Sequence, residues 1–271
     1  MIGKEWERLN QTPQLGCNYS PQLLKLLNQG EVQVDWIKLS RWEVFDEEFQ
    51  IVRPYRPILL HVLPRASLAT FEEWDWERVH QAIEACGSPH IALHFHADPA
   101  DWETPPSDEE ILSRLLNGVK RVKENLPVPL IIENVPYYGL KGTLRLATDP
   151  EIIGEVCERM GVGLLLDLAH LRVAAWHRKE DPLRYLDRMP LAQVREIHVT
   201  GSEMDAQEGL RDRHLEMKEE DYALLEEALK RCQPEIVTLE YGGTGPKFEW
   251  RSDLAALRRQ LLRLMEILNI S

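Results

Sequence analysis

The sequence predicts one parallel (β/α)8 barrel over residues 1–271, and three observations predict it. Eight short runs rich in Val, Ile or Leu recur along the chain, segments of helical spacing separate them, and no Gly-rich nucleotide loop follows any run. With 44% hydrophobic and 28% charged residues, the chain can fill one barrel-sized core, and no linker or low-complexity stretch divides it.

The runs fall at 15–19, 35–39, 58–63, 90–96, 129–134, 162–168, 194–200 and 235–241. Near-continuous apolar character suits strands buried on both faces, and several runs follow a Gly or Pro break. Between the fourth and fifth lies 105–125, where Ser107 with Glu110 three residues on forms the pattern of a capping box. Further helices are expected at 149–160, 181–189, 218–232 and 253–268. Eight such alternations favour a closed barrel over an open doubly wound sheet.

Composition excludes some functions. A net charge of -13 speaks against a general binder of nucleic acid or anionic membrane, which needs a basic footprint. Cys17, Cys86, Cys157 and Cys232 are scattered without a CxxC pair, as expected for reduced thiols in a cytoplasmic protein. The opening MIGKEWERLN lacks the apolar stretch of a secretory signal, and no run is long enough to cross a bilayer. A soluble, cytoplasmic chain is expected.

In a barrel of this kind the chemistry sits where the strands end at their C-termini. The third run, ILLHVL, brings His61 there; the fourth, HIALHFH, brings His94 and His96; the fifth, ending IIEN, brings Glu133 and Asn134. The sixth brings Asp167, with His170 just beyond; the seventh brings His198, and the eighth Glu240. A loop between the last two, RDRH, supplies Asp212 and His214.

Taken singly, each has a plain structural role. A strand-end histidine is usually hydrogen-bonded in a loop, Asp167 can cap the next helix, and Glu133 or Glu240 can pair with a rim arginine. His80 and His90 read as surface or strand-start residues, His177 as a loop residue, and Asn134 equally as a turn residue. The set is harder to explain away. From the third run to the eighth, every run ends in His, Asp or Glu, a costly placement unless the charge is paired or bound to metal. The Asp-x-His spacing of Asp212 and His214 puts both side chains on one side of an extended segment. Imidazole and carboxylate donors without thiolate suit iron, manganese or zinc, and donors this numerous suit about two or three ions.

These residues resemble the multinuclear non-haem iron-dependent oxidative enzymes that modify ribosomally made peptides, of the methanobactin-biosynthesis type. LLHVLPRASLA, PLIIENVPYY, GVGLLLDLAHLRVAAWH, VREIHVTGS and VTLEYGG carry the resemblance, which extends from about Leu15 onward. It implies a xylose-isomerase-like TIM barrel with metal ligands at His61, His94, Glu133, Asp167, His198, Asp212, His214 and Glu240. Anchoring on Gly87 and Pro89 selects His94 on the fourth strand; the Ser-x-His spacing would select His90, farther from the strand's C-terminal end. Where the family usually has two asparagines this chain has Ala169 and His170, so His170 is an uncertain ninth ligand, and Thr200-Gly201 replaces Ala-Gly. Asn134, Tyr241 and His96 are expected to support the ligands from behind.

The resemblance implies oxidation, by an iron cluster and O2, of a cysteine-containing peptide delivered by a separate recognition protein. Two other enzyme classes on the same barrel need no redox change: a sugar isomerase or epimerase, and a metal-dependent phosphodiesterase, which the acidic balance disfavours. A metal-binding scaffold that has lost turnover is the non-enzymatic alternative.

Overall fold

The computed structural model of the chain describes residues 12–68, 70–139 and 142–270. All eight expected strands form: β1 (Gln14–Asn18), β2 (Trp36–Leu39), β3 (Ile58–Leu60), β4 (Ile91–His94), β5 (Leu130–Glu133), β6 (Gly163–Asp167), β7 (Val194–Val199) and, last in the chain, β10 (Ile236–Leu239). Their order in the sheet is β3-β2-β1-β10-β7-β6-β5-β4, with every neighbouring pair parallel. The sheet thus curls into a nearly closed barrel whose seam lies between β3 and β4. Beyond β3 the chain crosses that seam: Arg65 bridges to His94, and the Ala66 amide donates to the His94 carbonyl at 2.9 Å.

Helices α1 (Pro21–Gln29), α2 (Phe45–Val52), α3 (Trp76–Cys86), α4 (Asp108–Glu124), α5 (Pro150–Met160), α6 (Leu168–Arg178), α7 (Pro182–Arg188), α8 (Glu219–Arg231) and α9 (Leu254–Ile267) accompany the strands. The capping box at Ser107 and Glu110 opens α4. Its apolar stripe, Ile111, Leu115, Val119 and Val122, joins the main core with the stripes of α5 and α9. Gly118 lets α4 lie directly on the seam, since a Cβ there would fall 1.8 Å from the Ala66 carbonyl oxygen.

Side chains alternate across each strand, which decides what enters the barrel. Ala92, Ile131 and Leu165 form a small apolar cluster apart from the main core. Two residues further along the same strands, and so on the same face, stand His94, Glu133 and Asp167. Registers match His94 to Glu133 and Asp167 to His198, so donors from adjacent strands arrive at one level.

Two expectations need correction. The segment holding Asp212 and His214 is not a loop: β8 (Gly201–Asp205) and β9 (Gly209–Leu215) form an antiparallel hairpin between β7 and α8. His177 is not in a loop either but in α6, its Nε2 3.0 Å from the Leu210 carbonyl oxygen. This helix escapes periodicity because it is buried nearly all round, at Leu168, Ala169, His170, Leu171, Val173, Ala174 and Ala175, and so has no polar face. The four cysteines are buried and free. No helix among the described residues is long and apolar enough to cross a membrane, and the reading of MIGKEWERLN lies outside those residues.

Candidate metal centre

The strand-end side chains converge on one cavity of about 390 Å³, lined among others by Lys38, His61, His94, Glu133, His170, His214 and Glu240. Glu133 is its middle. His61 Nε2 lies 3.1 Å and His94 Nε2 3.4 Å from Glu133 Oε2, and the two imidazole nitrogens are 3.3 Å apart. On the other side of the carboxylate, His170 Nδ1 is 3.3 Å from Glu133 Oε1 and 3.6 Å from Asp167 Oδ2.

The hairpin completes the ring. Asp212 Oδ2 is 3.4 Å from His170 Nε2 and 3.1 Å from His214 Nε2, and His214 Nδ1 is 3.4 Å from Glu240 Oε2. His198 Nδ1 lies 3.4 Å from Glu240 Oε1 and 4.0 Å from Glu133 Oε1. Asp212 and His214 do face the same way, but not through regular extended backbone: His214 is left-handed, with φ 48°. A non-glycine residue held there is strained, and such strain collects where a side chain must be aimed.

Asp167 plays both roles open to it. One carboxylate oxygen caps α6 by accepting from the His170 amide at 2.7 Å, while the other, Oδ2, is buried without a hydrogen-bond donor. Glu133 Oε2 is likewise buried without a well-formed hydrogen bond, its nearest neighbours being the ring nitrogens of His61 and His94. Anionic oxygens stranded this way are costly unless a cation meets them. Three sets of donor atoms, His61–His94–Glu133, Glu133–Asp167–His170 and Asp167–His198–Glu240, each lie within 4.8 Å of one another. The residues therefore fit a cluster of metal ions.

Electrostatics divides the centre. Burial and the charge of Lys38 push His61 down to about 4, so its imidazole is neutral at ordinary pH. Burial would lower His170 too, but Asp167, Asp212 and Glu133 overcome it and hold its pKa well above the usual histidine value. His214 is raised against burial by Asp212 and Glu240. Burial, reinforced by the charges of Glu240, Glu133 and Asp212 and opposed by His170, raises Asp167 to about 6. Glu133 is held well below the carboxylate range against its burial, chiefly by His94 and His61.

Of the two histidines considered for the fourth strand, His94 joins His61 and Glu133. His90 sits at the other end of β4; it is buried rather than on the surface, its Nε2 2.7 Å from Glu196 Oε2. Asn134 ties two strand ends together, donating to the Asp167 carbonyl and accepting the Asp167 amide, both at 2.9 Å. Tyr241 is not brought to the cluster: its hydroxyl accepts the Asp253 amide at 3.3 Å, at the start of α9. His96 is not among the residues lining the cavity, and its Nε2 is buried without a partner near Asp98 and Arg65.

Two residues of the centre escaped sequence reasoning. Glu196 is buried inside β7, where His198 Nε2 approaches its Oε1 at 3.1 Å, leaving Nδ1 turned to the cavity. Its signal was in the period: Glu196 and His198 are two apart on one strand and must share a face. Lys38, in WIKL of β2, is 2% exposed and donates to Glu240 Oε1. A lysine inside an apolar strand was legible, but its partner two hundred residues away was not.

A family model described as "RiPP precursor modification enzyme MbnB/TglH/ChrH" matches residues 14–261. The chain is 30% identical over 134 residues to a UPF0276 protein of Streptomyces avermitilis, covering 45% of this chain and 27% of that protein. It is 28% identical over 145 residues to UPF0276 protein AM1_3026 of Acaryochloris marina, covering 53% and 52%. The chain thus spans about a quarter to a half of the length of these relatives. Among solved structures, the IolI protein with a bound zinc atom superposes with TM-score 0.68 at 13% identity, covering 94% of this chain and 98% of that one. An AP endonuclease, family 2, from Brucella melitensis gives 0.60 at 12% identity, covering 88% and 96%. These likenesses establish the xylose-isomerase-like TIM-barrel fold.

Proposed function

The chain belongs to the family of RiPP precursor modification enzymes MbnB/TglH/ChrH, and from that premise we propose that it is a multi-iron enzyme that oxidatively modifies a cysteine-containing peptide. One observation carries the metal part of this reading: the buried carboxylates of Glu133 and Asp167, the latter with one oxygen lacking any donor, stand among histidines at the open end of the barrel. The family carries the peptide part, and zinc or manganese in place of iron is the variant the donor set also accommodates.

In this reading His61, His94 and Glu133 would hold one ion. Glu133, Asp167 and His170 would hold a second, and Asp212, His198, His214 and Glu240 complete the ring around them. Bound iron supplies the capacity to activate O2 and withdraw electrons from a thiolate. The chain's own residues set the geometry. Asn134 fixes the backbone on which Asp167 stands, and Glu196 orients the His198 ring so that Nδ1 faces inward. The cavity of about 390 Å³ is large enough for a side chain and a short stretch of peptide, and Arg251 on its wall has a buried Nε without a partner. A separate recognition protein presents the peptide.

The test is anaerobic loading with Fe2+, followed by metal analysis, electronic and Mössbauer spectra, and incubation with O2 and a short synthetic Cys-containing peptide. More than one iron per chain, a thiolate-to-iron charge-transfer band on adding peptide, and a mass change at its cysteine are expected. A folded protein that takes up no metal overturns the reading. Tight uptake of a redox-silent metal, with no change in the peptide, transfers it to the isomerase or epimerase class.

A further inference from the structure

Lys38 is the one lysine among the lining residues of the cavity, and it is placed on donors rather than at the rim. Its ammonium donates to Glu240 Oε1 and lies 3.5 Å from His198 Nδ1 and 3.4 Å from His198 Nε2. Its side chain is 1% exposed. Lysines are almost never buried this deeply unless paired, and here the pair is formed with two of the donors themselves.

We propose that Lys38 is a tethered cation standing at the His198–Glu240 edge of the centre in place of one metal ion, so that ions bind at the His61–His94–Glu133 and Glu133–Asp167–His170 positions and not between His198 and Glu240. This rests on the metal-binding reading above.

The argument is geometric. His198 Nδ1 and Glu240 Oε1 are 3.4 Å apart, the two atoms an ion would share at that edge. A metal ion would sit about 2 Å from each. The ammonium already holds the same oxygen and the same ring, so the ion would come to rest almost in contact with a unit positive charge. Like charges at such range exclude each other in a buried site. Glu240's other oxygen turns to His214, away from the lysine, so the exclusion is confined to one edge. Arg251 also lines the cavity, but among the described residues no lysine or arginine is paired with Glu133, Asp167 or Asp212, whose contacts within the cluster are to histidines. A centre of this size otherwise has donors for a further ion, which the set Asp167–His198–Glu240 marks out.

The experiment loads wild type, Lys38→Met and Lys38→Arg anaerobically with Fe2+ and, separately, with Zn2+, removes free metal by gel filtration, and counts ions per chain by elemental analysis. Lys38→Met, which keeps the bulk and removes the charge, is expected to gain about one ion per chain over wild type, and Lys38→Arg to keep the wild-type count. An unchanged or lower count in Lys38→Met with a native circular dichroism spectrum overturns the proposal. Should that variant fail to fold, anomalous diffraction from metal-loaded wild-type crystals decides alone. A peak between His198 and Glu240 overturns the proposal, and peaks confined to the other two positions support it. Wild type that binds no metal overturns the underlying metal reading and this inference with it, whereas loaded wild type without a gain in Lys38→Met overturns this inference only.

Discussion

Asp167→Asn in the metal-free protein should raise stability while removing metal. Asp167 is fully buried, one oxygen caps α6 and the other has no donor, and burial lifts its pKa from 3.8 to about 6. A carboxyl whose folded pKa lies above its unfolded value favours the folded state while protonated. That advantage is complete below about pH 3.8 and is lost as pH rises through about 6. Above that point the folded protein carries an ionised group it would rather hold neutral, at a cost of about 3 kcal/mol.

Asparagine keeps the cap, since its side-chain oxygen accepts the His170 amide as well as a carboxylate does, and it has no charge to desolvate. Against wild type stripped with a chelator, Asp167→Asn should therefore melt about 6 °C higher at pH 8 and at nearly the same temperature at pH 4. Thermal denaturation followed by circular dichroism across that range measures it. With Fe2+ or Zn2+ added at pH 8 the order should reverse, because ligand binding stabilises only the protein that binds. Equal or lower melting of the metal-free variant at pH 8, or a difference independent of pH, would refute the claim that Asp167 is a strained anion waiting for a cation.

Three further outcomes are expected. His94→Ala combined with Asp167→Ala should strip most of the bound metal, read by elemental analysis; unchanged content would mean that the ions bind elsewhere. Glu196→Gln can satisfy only one of His198 and His90, leaves a buried imidazole nitrogen unpaired, and should cost about 1–3 kcal/mol in urea denaturation while the circular dichroism spectrum stays native. Gly118→Ala forces a methyl onto the Ala66 carbonyl oxygen and should cost about 3 kcal/mol or more in urea denaturation, loosening the seam beside His61 and His94.

The strands were legible because each is a short run rich in Val, Ile or Leu, and the donors because a polar residue closing such a run stands out. The hairpin β8–β9 was not: GSEMD and GLRDRHL are polar on both faces and offer neither alternation nor a hydrophobic run. His170 was visible as a departure, yet its placement depends on α6, whose burial on most sides erased the helical period. Lys38 and Glu196 point into the barrel by simple alternation, but only the closing of the sheet brings Lys38 to Glu240 and Glu196 to His90. Periodicity tells which face a residue takes and is silent on who stands opposite across the barrel. Tyr241 shows the converse: adjacent to Glu240 in sequence, it is turned from the donors, and its hydroxyl accepts the amide of Asp253, the residue that caps α9.

The protonation pattern of the metal-free centre predicts how it fills. Carboxylates crowded into a buried ring need positive charge, and without metal the protein takes it from Lys38 and from protons on histidine. His170, His198 and His214 have raised pKa values for this reason, whereas His61, beside Lys38 and buried, is pushed down to about 4. The ion at His61, His94 and Glu133 thus meets at least one histidine already neutral, while an ion touching His170 and Asp167 must first displace a proton. For a histidine with a raised folded pKa, the stabilising ion pair is complete below about 6.5 and is lost as pH rises through the higher folded value, so rising pH weakens the metal-free centre and strengthens its claim on metal. Titration calorimetry at pH 7 in buffers of different ionisation enthalpy should find little proton release with the first equivalent and about one proton or more with the next. Proton release confined to the first equivalent would invert the order of filling, and none at all would show that the histidines of the hairpin side are not the ligands.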